Sequence, residues 1–308
     1  MRLVFMATGE IAEAAFAAAL SSEHDVVGLV TQPDRPVGRR QVLTAPGVKS
    51  MALTAGVPVI QPQKVREEEA LKQIREWQPE VIVVMAYGQI LPLELIEIPE
   101  RAIINLHASL LPKYRGASCI QGPLREGDAT TGWSVIHVVR KLDAGNVILQ
   151  HEIPILEGET GGELHDRLAA SAPAAMLEAL LLLKNGACPG TPQDDGAHTY
   201  VPKLLRDDGR LDWSLPAEKL ERCIRAFHPW PGTFCEVGGK RLKIFPPVRV
   251  GVGKGAAGAY LGEVDGEIEI ACGEGSLFLT LVQPDGKARM DVGSFARGYR
   301  EMLEAGLK

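Results

Sequence analysis

Val81-Ile-Val-Val-Met-Ala86 is an unbroken apolar run between Gln78-Pro79-Glu80 and Tyr87-Gly88. It has the length of a strand and is too short for a packing helix. With no polar residue at alternate positions, it fits a strand covered on both faces. Upstream, Arg2-Leu-Val-Phe-Met6, Val26-Val-Gly-Leu-Val30 and Val57-Pro-Val-Ile60 read as further strands, with helical spacing over Ile11 to Leu20 and Glu67 to Trp77 between them. Strands alternating with helices predict an α/β class: a parallel sheet with helices on both faces.

Downstream of that run, Ala102-Ile-Ile-Asn-Leu-His107 reads as a short buried strand. Side chains alternate faces along a strand, so Asn105 and His107 project one way while Ile104 and Leu106 point oppositely. Ser109-Leu-Leu-Pro112 then stops the strand, since proline cannot continue a ladder and restricts the residue before it. Loops at strand ends are where α/β folds keep their chemistry.

Farther along, Gly161 to Lys184 carries Leu164, Leu168, Ala172, Met176, Leu180 and Leu183 at helical spacing, with Gly186 as a stop. Periodicity disappears between Ala187 and Gly209, where Pro, Gly, Gln and Asp dominate, so the expected organisation is a domain over 1–189, a linker over 190–208 and a second domain over 209–308. The second domain opens with a helix, Pro216 to Phe227. Short Gly-bounded strands follow at Thr233 to Val237, Arg241 to Phe245, Ala259 to Val264, Ile268 to Ala271 and Leu277 to Val282. This pattern suggests a small β-barrel, of which the OB fold is one example.

The 308 residues are enough for about two domains of roughly 150 residues each. No apolar run reaches the roughly 18 residues of a membrane span, and the N-terminal stretch lacks the features of a secretory signal, so a cytoplasmic address is expected. Five scattered cysteines with no C-x-x-C pair suggest reduced thiols, with neither a disulfide framework nor a metal site. The net charge of −6 is uneven: residues from 209 onward carry 14 basic against 13 acidic side chains, and those before it 19 against 26. The second part is thus the less repulsive to phosphate.

Asn105, His107 and the Asp143 of Leu142-Asp-Ala-Gly145 suit transfer of an acyl group from a nitrogen donor to an amine. A carboxamide offers N–H donors to the oxyanion of a tetrahedral intermediate without a protonation equilibrium. A histidine can donate a proton to the oxyanion or the leaving nitrogen, and an ionised aspartate nearby favours the imidazolium or holds a proton-carrying water. Taken alone, Asn-x-His at a strand end also serves as a structural hydrogen-bonding pair, and Asp before a small residue and Gly as a turn.

Asn105-Leu-His-Ala-Ser-Leu-Leu-Pro-Lys-Tyr-Arg-Gly-Ala117 resembles the signature of the formyltransferases that use 10-formyltetrahydrofolate. Within that group the motifs run closest to the enzymes acting on methionyl-tRNA. Supporting segments are Thr31-Gln-Pro-Asp-Arg-Pro36 with Gly38-Arg39, Ala86-Tyr-Gly88 with Ile90-Leu-Pro92, Leu142-Asp-Ala-Gly145, Leu211-Asp-Trp-Ser214, Leu220-Glu-Arg-Cys-Ile-Arg-Ala-Phe227 and Pro229-Trp-Pro-Gly232. The resemblance runs nearly end to end.

It implies a Rossmann-like formyltransferase domain and an OB-like domain that helps hold tRNA. It also implies Asn105, His107 and Asp143 as catalytic residues, with folate contacts from Ser109, Leu110, Leu111, Pro112, Ala86, Tyr87, Gly88 and Ile90. The formyl donor would be 10-formyltetrahydrofolate, with no metal. The partner would be initiator methionyl-tRNA, with no membrane and no obligate protein partner. Candidate tRNA contacts are Arg35, Arg39, Arg40, Lys203, Arg206, Lys240, Arg241 and Lys243, with Arg210 and Arg249 beside them.

The chain departs from the family pattern at Phe5-Met-Ala-Thr-Gly-Glu-Ile11, at Ala108, at Tyr114, at Arg140-Lys141 and in the less basic loop 38–43. Lys141 is expected to face solvent. Trp213, Trp230 and Phe234 are expected in core or interdomain packing, not as base-stacking platforms. Gly253-Lys-Gly-Ala-Ala-Gly258 matches a dinucleotide motif by letter but precedes a strand-like segment and so reads as a loop. Cys119 reads as a buried, unreactive thiol. The rival readings are a formyl-folate transferase for a sugar nucleotide or purine precursor, a folate hydrolase domain, and a noncatalytic folate- or RNA-binding module. Gln32-Pro-Asp-Arg35 and Pro229-Trp-Pro231 favour the tRNA enzyme.

Overall fold

The computed structural model describes every residue except Arg39 and Ala187 and, within one short strand, the side chain of Val37. It divides into two compact units: residues 1–119, 131–153 and 165–200 form the first, and residues 120–130, 154–164 and 201–308 the second. No helix among the described residues is long and apolar enough to cross a membrane.

The first unit is built on β1 (Arg2–Ala7), β2 (Asp25–Val30), a hairpin of β3 (Arg35–Val37) and β4 (Val42–Thr44), β5 (Val59–Ile60), β6 (Val81–Met85), β7 (Ala102–His107), the two-residue β8 (Arg115–Gly116), β9 (Thr130–His137) and β10 (Val147–Pro154). Seven of these strands form one sheet in the order β10-β9-β7-β6-β1-β2-β5. β1, β2, β5, β6 and β7 run parallel, as the apolar runs predict. β9 departs from that expectation and lies antiparallel to β7, with Ser134 opposite His107. Strand order turns back between β1 and β6, the place where sheets of this kind bind ligands outside the carboxyl ends of their strands, and the end of β7 lies beside it.

Helices α1 (Glu13–Leu20), α2 (Gly47–Thr54), α3 (Glu68–Glu76), α4 (Leu93–Ile96) and most of α6 (Gly161–Lys184) belong to this unit, while α5 (Gln121–Glu126), which precedes β9 in the chain, belongs to the second. The α3 stripe shows why the sheet closes: Leu71 and Ile74 pack with Trp77 against Val4, Met6, Ile82 and Val84. Each such side chain contributes roughly 1.5–3 kcal/mol on burial. Gly28 on β2 has no alternative, because a β-carbon there would stand 2.3 Å from the Trp77 ring. On α6, Leu168, Ala172, Met176, Leu180 and Leu183 are all buried, as their spacing predicts. The indole N–H of Trp133, on β9, donates to the Leu168 carbonyl at 3.0 Å.

In the second unit β11 (Tyr200–Val201) is followed by α7 (Ala217–Ala226), β12 (Thr233–Val237), β13 (Lys240–Gly251), β14 (Tyr260–Val264), β15 (Glu267–Ala271), β16 (Ser276–Pro284), β17 (Met290–Asp291) and α8 (Val292–Glu304). β12 to β17 make an antiparallel sheet ordered β12-β13-β16-β15-β14, with β17 on β16. Ala217, Leu220 and Ile224 of α7 and Val292, Phe295 and Leu303 of α8 fill one core with Cys235, Leu242, Ile244, Ile268, Leu277 and Leu279. The helix α8 was not among the sequence expectations. The glycine-rich 253–258 loop leads into strand β14, so no helix N-terminus faces it.

Candidate active site

Asn105 and His107 leave β7 on one face at the carboxyl end of the sheet. Asn105 is half-buried, and its carboxamide has no hydrogen-bond partner among the described residues. His107 is almost fully buried, with Nε2 2.9 Å from the Tyr114 carbonyl. A carbonyl only accepts, so Nε2 carries a proton, and Nδ1 is the ring nitrogen turned toward Asp143. That Nδ1 lies 3.8 Å from Asp143 Oδ2, and the two side chains are 6% and 11% exposed.

Asp143 sits in a tight turn with φ of 48°, the left-handed region that costs a side-chain-bearing residue roughly 1–2 kcal/mol. Its Oδ2 accepts from the Gly116 N–H at 2.8 Å, which leaves the carboxylate between that amide and the imidazole. Ala86 (φ 49°) and Tyr114 (φ 62°) share the conformation. Such residues gather at functional sites, where surrounding contacts hold them.

The loop after β7 is fixed from behind. Ser134 Oγ donates to the Ser109 carbonyl at 2.7 Å and accepts from Leu111 N–H at 2.9 Å. Gln150 Nε2 donates to both the Leu111 carbonyl (2.9 Å) and Ser134 Oγ (2.8 Å). The Ser109 hydroxyl donates to the Lys113 carbonyl at 2.8 Å, and Ser109 and Leu111 are buried, while Leu110 and Pro112 are half-buried.

After the neighbouring strand β6, Ala86, Gly88 and Ile90 are exposed, Ile90 by 90%. The Tyr87 side chain, by contrast, is in the core. It is 2% exposed and packs beneath the sheet with Val4, Val30 and Leu95, so the residue presents only main chain here. Its carbonyl accepts from Thr8 Oγ1 and Gln32 Nε2. The unusual Phe5–Ile11 turn docks on the same segment: Gly9 N–H donates to the Ala86 carbonyl at 3.3 Å, and a β-carbon on Gly9 would come within 3.1 Å of Ala86 Cβ.

A third group of residues surrounds the Asp143 turn. Arg115, 3% exposed, donates from Nε and Nη2 to Gln193 Oε1 (3.1 and 2.9 Å) and from Nη1 to Asp195 Oδ1 (2.8 Å). Gln193 Nε2 in turn donates to the carbonyls of Asp143 and Gly145, both at 2.8 Å. Lys141 is exposed, as expected, and pairs with Asp195 at 2.7 Å. The Lys141 ammonium and then the Arg115 guanidinium hold the Asp195 carboxyl down at about 2. Gln193 and Asp195 escaped the sequence reading because their surroundings have a linker's composition; only the polar pair itself, two residues apart, marked them.

Among the expected tRNA contacts, Arg35, Arg40, Lys203, Arg206, Lys240, Arg241 and Lys243 are exposed, and Arg39 lies outside the described residues. Arg35 also donates to Gln32 Oε1 at 3.2 Å. Arg40 belongs to the β3–β4 hairpin, whose Val42 and Leu43 are exposed too. On β12, Phe234 is buried beneath two guanidiniums, Arg241 at 3.9 Å and Arg210 at 5.3 Å from its ring centre. Trp213 is core, as expected. Trp230 is not: it is 51% exposed, with Arg206 6.0 Å from its ring. No group of three or more His, Cys, Asp or Glu side chains able to hold a metal occurs among the described residues.

Residues 1–180 match the formyl transferase family, and residues 203–300 match the formyl transferase C-terminal domain. The chain is 47% identical, over 99% of its length and 98% of the relative's, to a methionyl-tRNA formyltransferase of Akkermansia muciniphila. It is 40% identical to one of Marinobacter nauticus, over 99% of both. Among solved structures, the sugar 3N-formyl transferase WlaRD, determined in the presence of dTDP and 5-N-formyl-THF, aligns with a TM-score of 0.67 over 94% of this chain and 99% of that one. At 16% identity that likeness speaks for the fold alone.

Proposed function

The chain belongs to the formyl transferase family, and from that membership we propose that it formylates the α-amino group of methionyl-initiator tRNA, with 10-formyltetrahydrofolate as donor. The product is the N-formylmethionyl-tRNA that starts translation, made in the cytoplasm. Full-length relatives of that activity at 40–47% identity support the tRNA reading over the sugar-nucleotide one.

The observation that carries the chemistry is an Asn105 carboxamide with no partner among the described residues, on the same face of β7 as the His107 that pairs with Asp143. The methionyl amine attacks the formyl carbon and the C=O bond becomes a C–O⁻ bond. Asn105 donates to that oxygen, the kind of fixed donor that is usually the largest catalytic term. As the carbon–N10 bond of the folate breaks, the proton lost by the amine must reach N10. His107 Nδ1, the ring nitrogen left free by the Tyr114 contact, carries it, with the Asp143 carboxylate stabilising the charged ring. An α-amino group with a pKa of roughly 8 is neutral often enough near pH 7 to need only positioning.

In this reading the folate lies against Ser109, Leu110, Leu111 and Pro112 on one side and Ala86, Gly88 and Ile90 on the other, with Tyr87 contributing main chain. Residues 1–189 carry the chemistry, 190–208 connect, and 209–308 hold tRNA. Lys203, Arg206, Lys240, Arg241 and Lys243, with Arg35 and Arg40, supply its phosphate contacts. Assays with 10-formyltetrahydrofolate and either charged initiator tRNA or an amino-sugar nucleotide test the reading. Formyl transfer to methionyl-tRNA is expected, and transfer to the sugar alone would overturn it.

A further inference from the structure

Residues 188–199, linker-like in composition, run along the first unit as a strap. The Cys188 carbonyl accepts from His137 Nε2 at 2.7 Å, and the Pro189 carbonyl from Asn146 Nδ2 at 2.9 Å. Thr191 and Val147 exchange two N–H···O bonds, both 2.8 Å. At its other end the Thr199 side chain accepts from Tyr114 N–H at 2.7 Å and its carbonyl from Arg115 N–H at 2.9 Å. The strap therefore touches both loops that carry the candidate machinery: the one after His107 and the one holding Asp143.

We propose that Gln193, at the middle of this strap, is a positioning residue for formyl transfer, holding the Asp143–Gly145 turn so that the Asp143 carboxylate faces His107. The inference rests on the reading of Asp143 given above. Gln193 is saturated: its amide nitrogen serves two carbonyls of the turn, and its oxygen takes two bonds from Arg115. A carboxamide is the one side-chain head that donates twice at one end and accepts twice at the other. The turn needs such a hold, because Asp143 adopts a left-handed conformation that persists only where its surroundings impose it. Arg115 completes the frame. Its guanidinium is buried against Gln193 and Asp195, and the next residue, Gly116, supplies the N–H bound to the Asp143 carboxylate.

Gln193→Glu separates the two ends of this frame. It keeps the length of the side chain and the partner of Arg115, but sets an acceptor against the two carbonyls of the turn. We expect kcat to fall about 10- to 100-fold, the scale of a displacement of about 1 Å in a reacting group. The folate KM should stay within about twofold and the thermal midpoint within a few degrees. In an Asp143→Asn background the same substitution should cost less than about threefold, because the group it positions is gone. Gln193→Asn serves as a second, milder variant should Gln193→Glu fold poorly.

An equal loss in both backgrounds would overturn the proposal. So would wild-type kcat in Gln193→Glu, or a lowered thermal midpoint with undiminished kcat in the folded fraction. Wild-type turnover in Asp143→Asn alone would remove the reading of Asp143 and this inference together, an outcome distinct from failure of Gln193 alone.

Discussion

His107 is tied through Nε2 to the main-chain carbonyl of Tyr114, so the two ring nitrogens have different work. Nε2 keeps the ring in place, and Nδ1 is the nitrogen to which the proposed mechanism gives the proton transfer. His107→Gln can keep the amide contact to that carbonyl but has no basic nitrogen in place of Nδ1. We expect a folded protein whose formylation rate is lower by about 10²–10⁴, the usual scale of general acid–base catalysis. Retention of the rate would show that His107 serves only the loop.

Asn105 is the complementary case, a polar head with no hydrogen-bond partner among the described residues. Asn105→Ala should leave the thermal midpoint nearly unchanged and lower kcat by about 10²–10³, the effect of losing one oxyanion donor. A large loss of stability with little change in kcat would make its role structural.

At position 143 the backbone divides two substitutions. Asparagine tolerates a φ of 48° and keeps the shape of aspartate, so Asp143→Asn should fold normally and lose rate. Asp143→Ala should in addition destabilise by roughly 1–2 kcal/mol, because alanine is poorly suited to a left-handed φ and leaves the Gly116 N–H without its acceptor. Denaturation midpoints for the two, read beside their turnover, check this; equal stabilities would refute it.

The Asp195 carboxyl, held at about 2 by Lys141 and Arg115, makes stability depend on pH in a stated direction. A carboxyl depressed in the folded state contributes stability that is complete above its ordinary value of 3.8 and is lost as pH falls through about 2. Asp195→Asn should therefore melt below the parent at pH 6, with the gap closing as the pH approaches 2. The carboxylate is exposed, so the gap should be small and narrower still in high salt. A gap independent of pH would mean that the pairing is not its source.

Arg241 sits over the Phe234 ring, 3.9 Å from its centre, and its exposed guanidinium lies 3.9 Å from Asp207 Oδ1. If it meets a tRNA phosphate, Arg241→Gln should weaken binding and reduce the slope of log affinity against log salt by about 0.7–0.9. Titration of charged tRNA between low and moderate salt measures this, and an unchanged slope would exclude the contact.

The parallel core was legible because Val81–Met85 and Ala102–Ile104 are buried on both faces, which leaves an apolar run with no alternation to misread. β10 was missed because it mixes half-buried and exposed positions, with Gln150, His151 and Glu152 in its middle. α8 was missed although Asp291 caps it and Phe295, Ala296 and Leu303 share a buried stripe; short strands dominate that region of sequence. The pair Asn105 and His107 could be placed on one face from period two alone. The hold on Asp143 could not, because Gln193 reaches carbonyls 50 and 48 residues away, and no local pattern encodes such a bond.

Ser134 and Gln150 pin the 109–111 loop from strands made later than the loop itself. A ribosome therefore completes β7, with Asn105 and His107, well before it supplies the residues that fasten the adjoining loop. Because contacts between distant parts of a chain form slowly, a nascent chain ending near residue 125 would own both candidate side chains and still lack the clasps that shape the loop beside them.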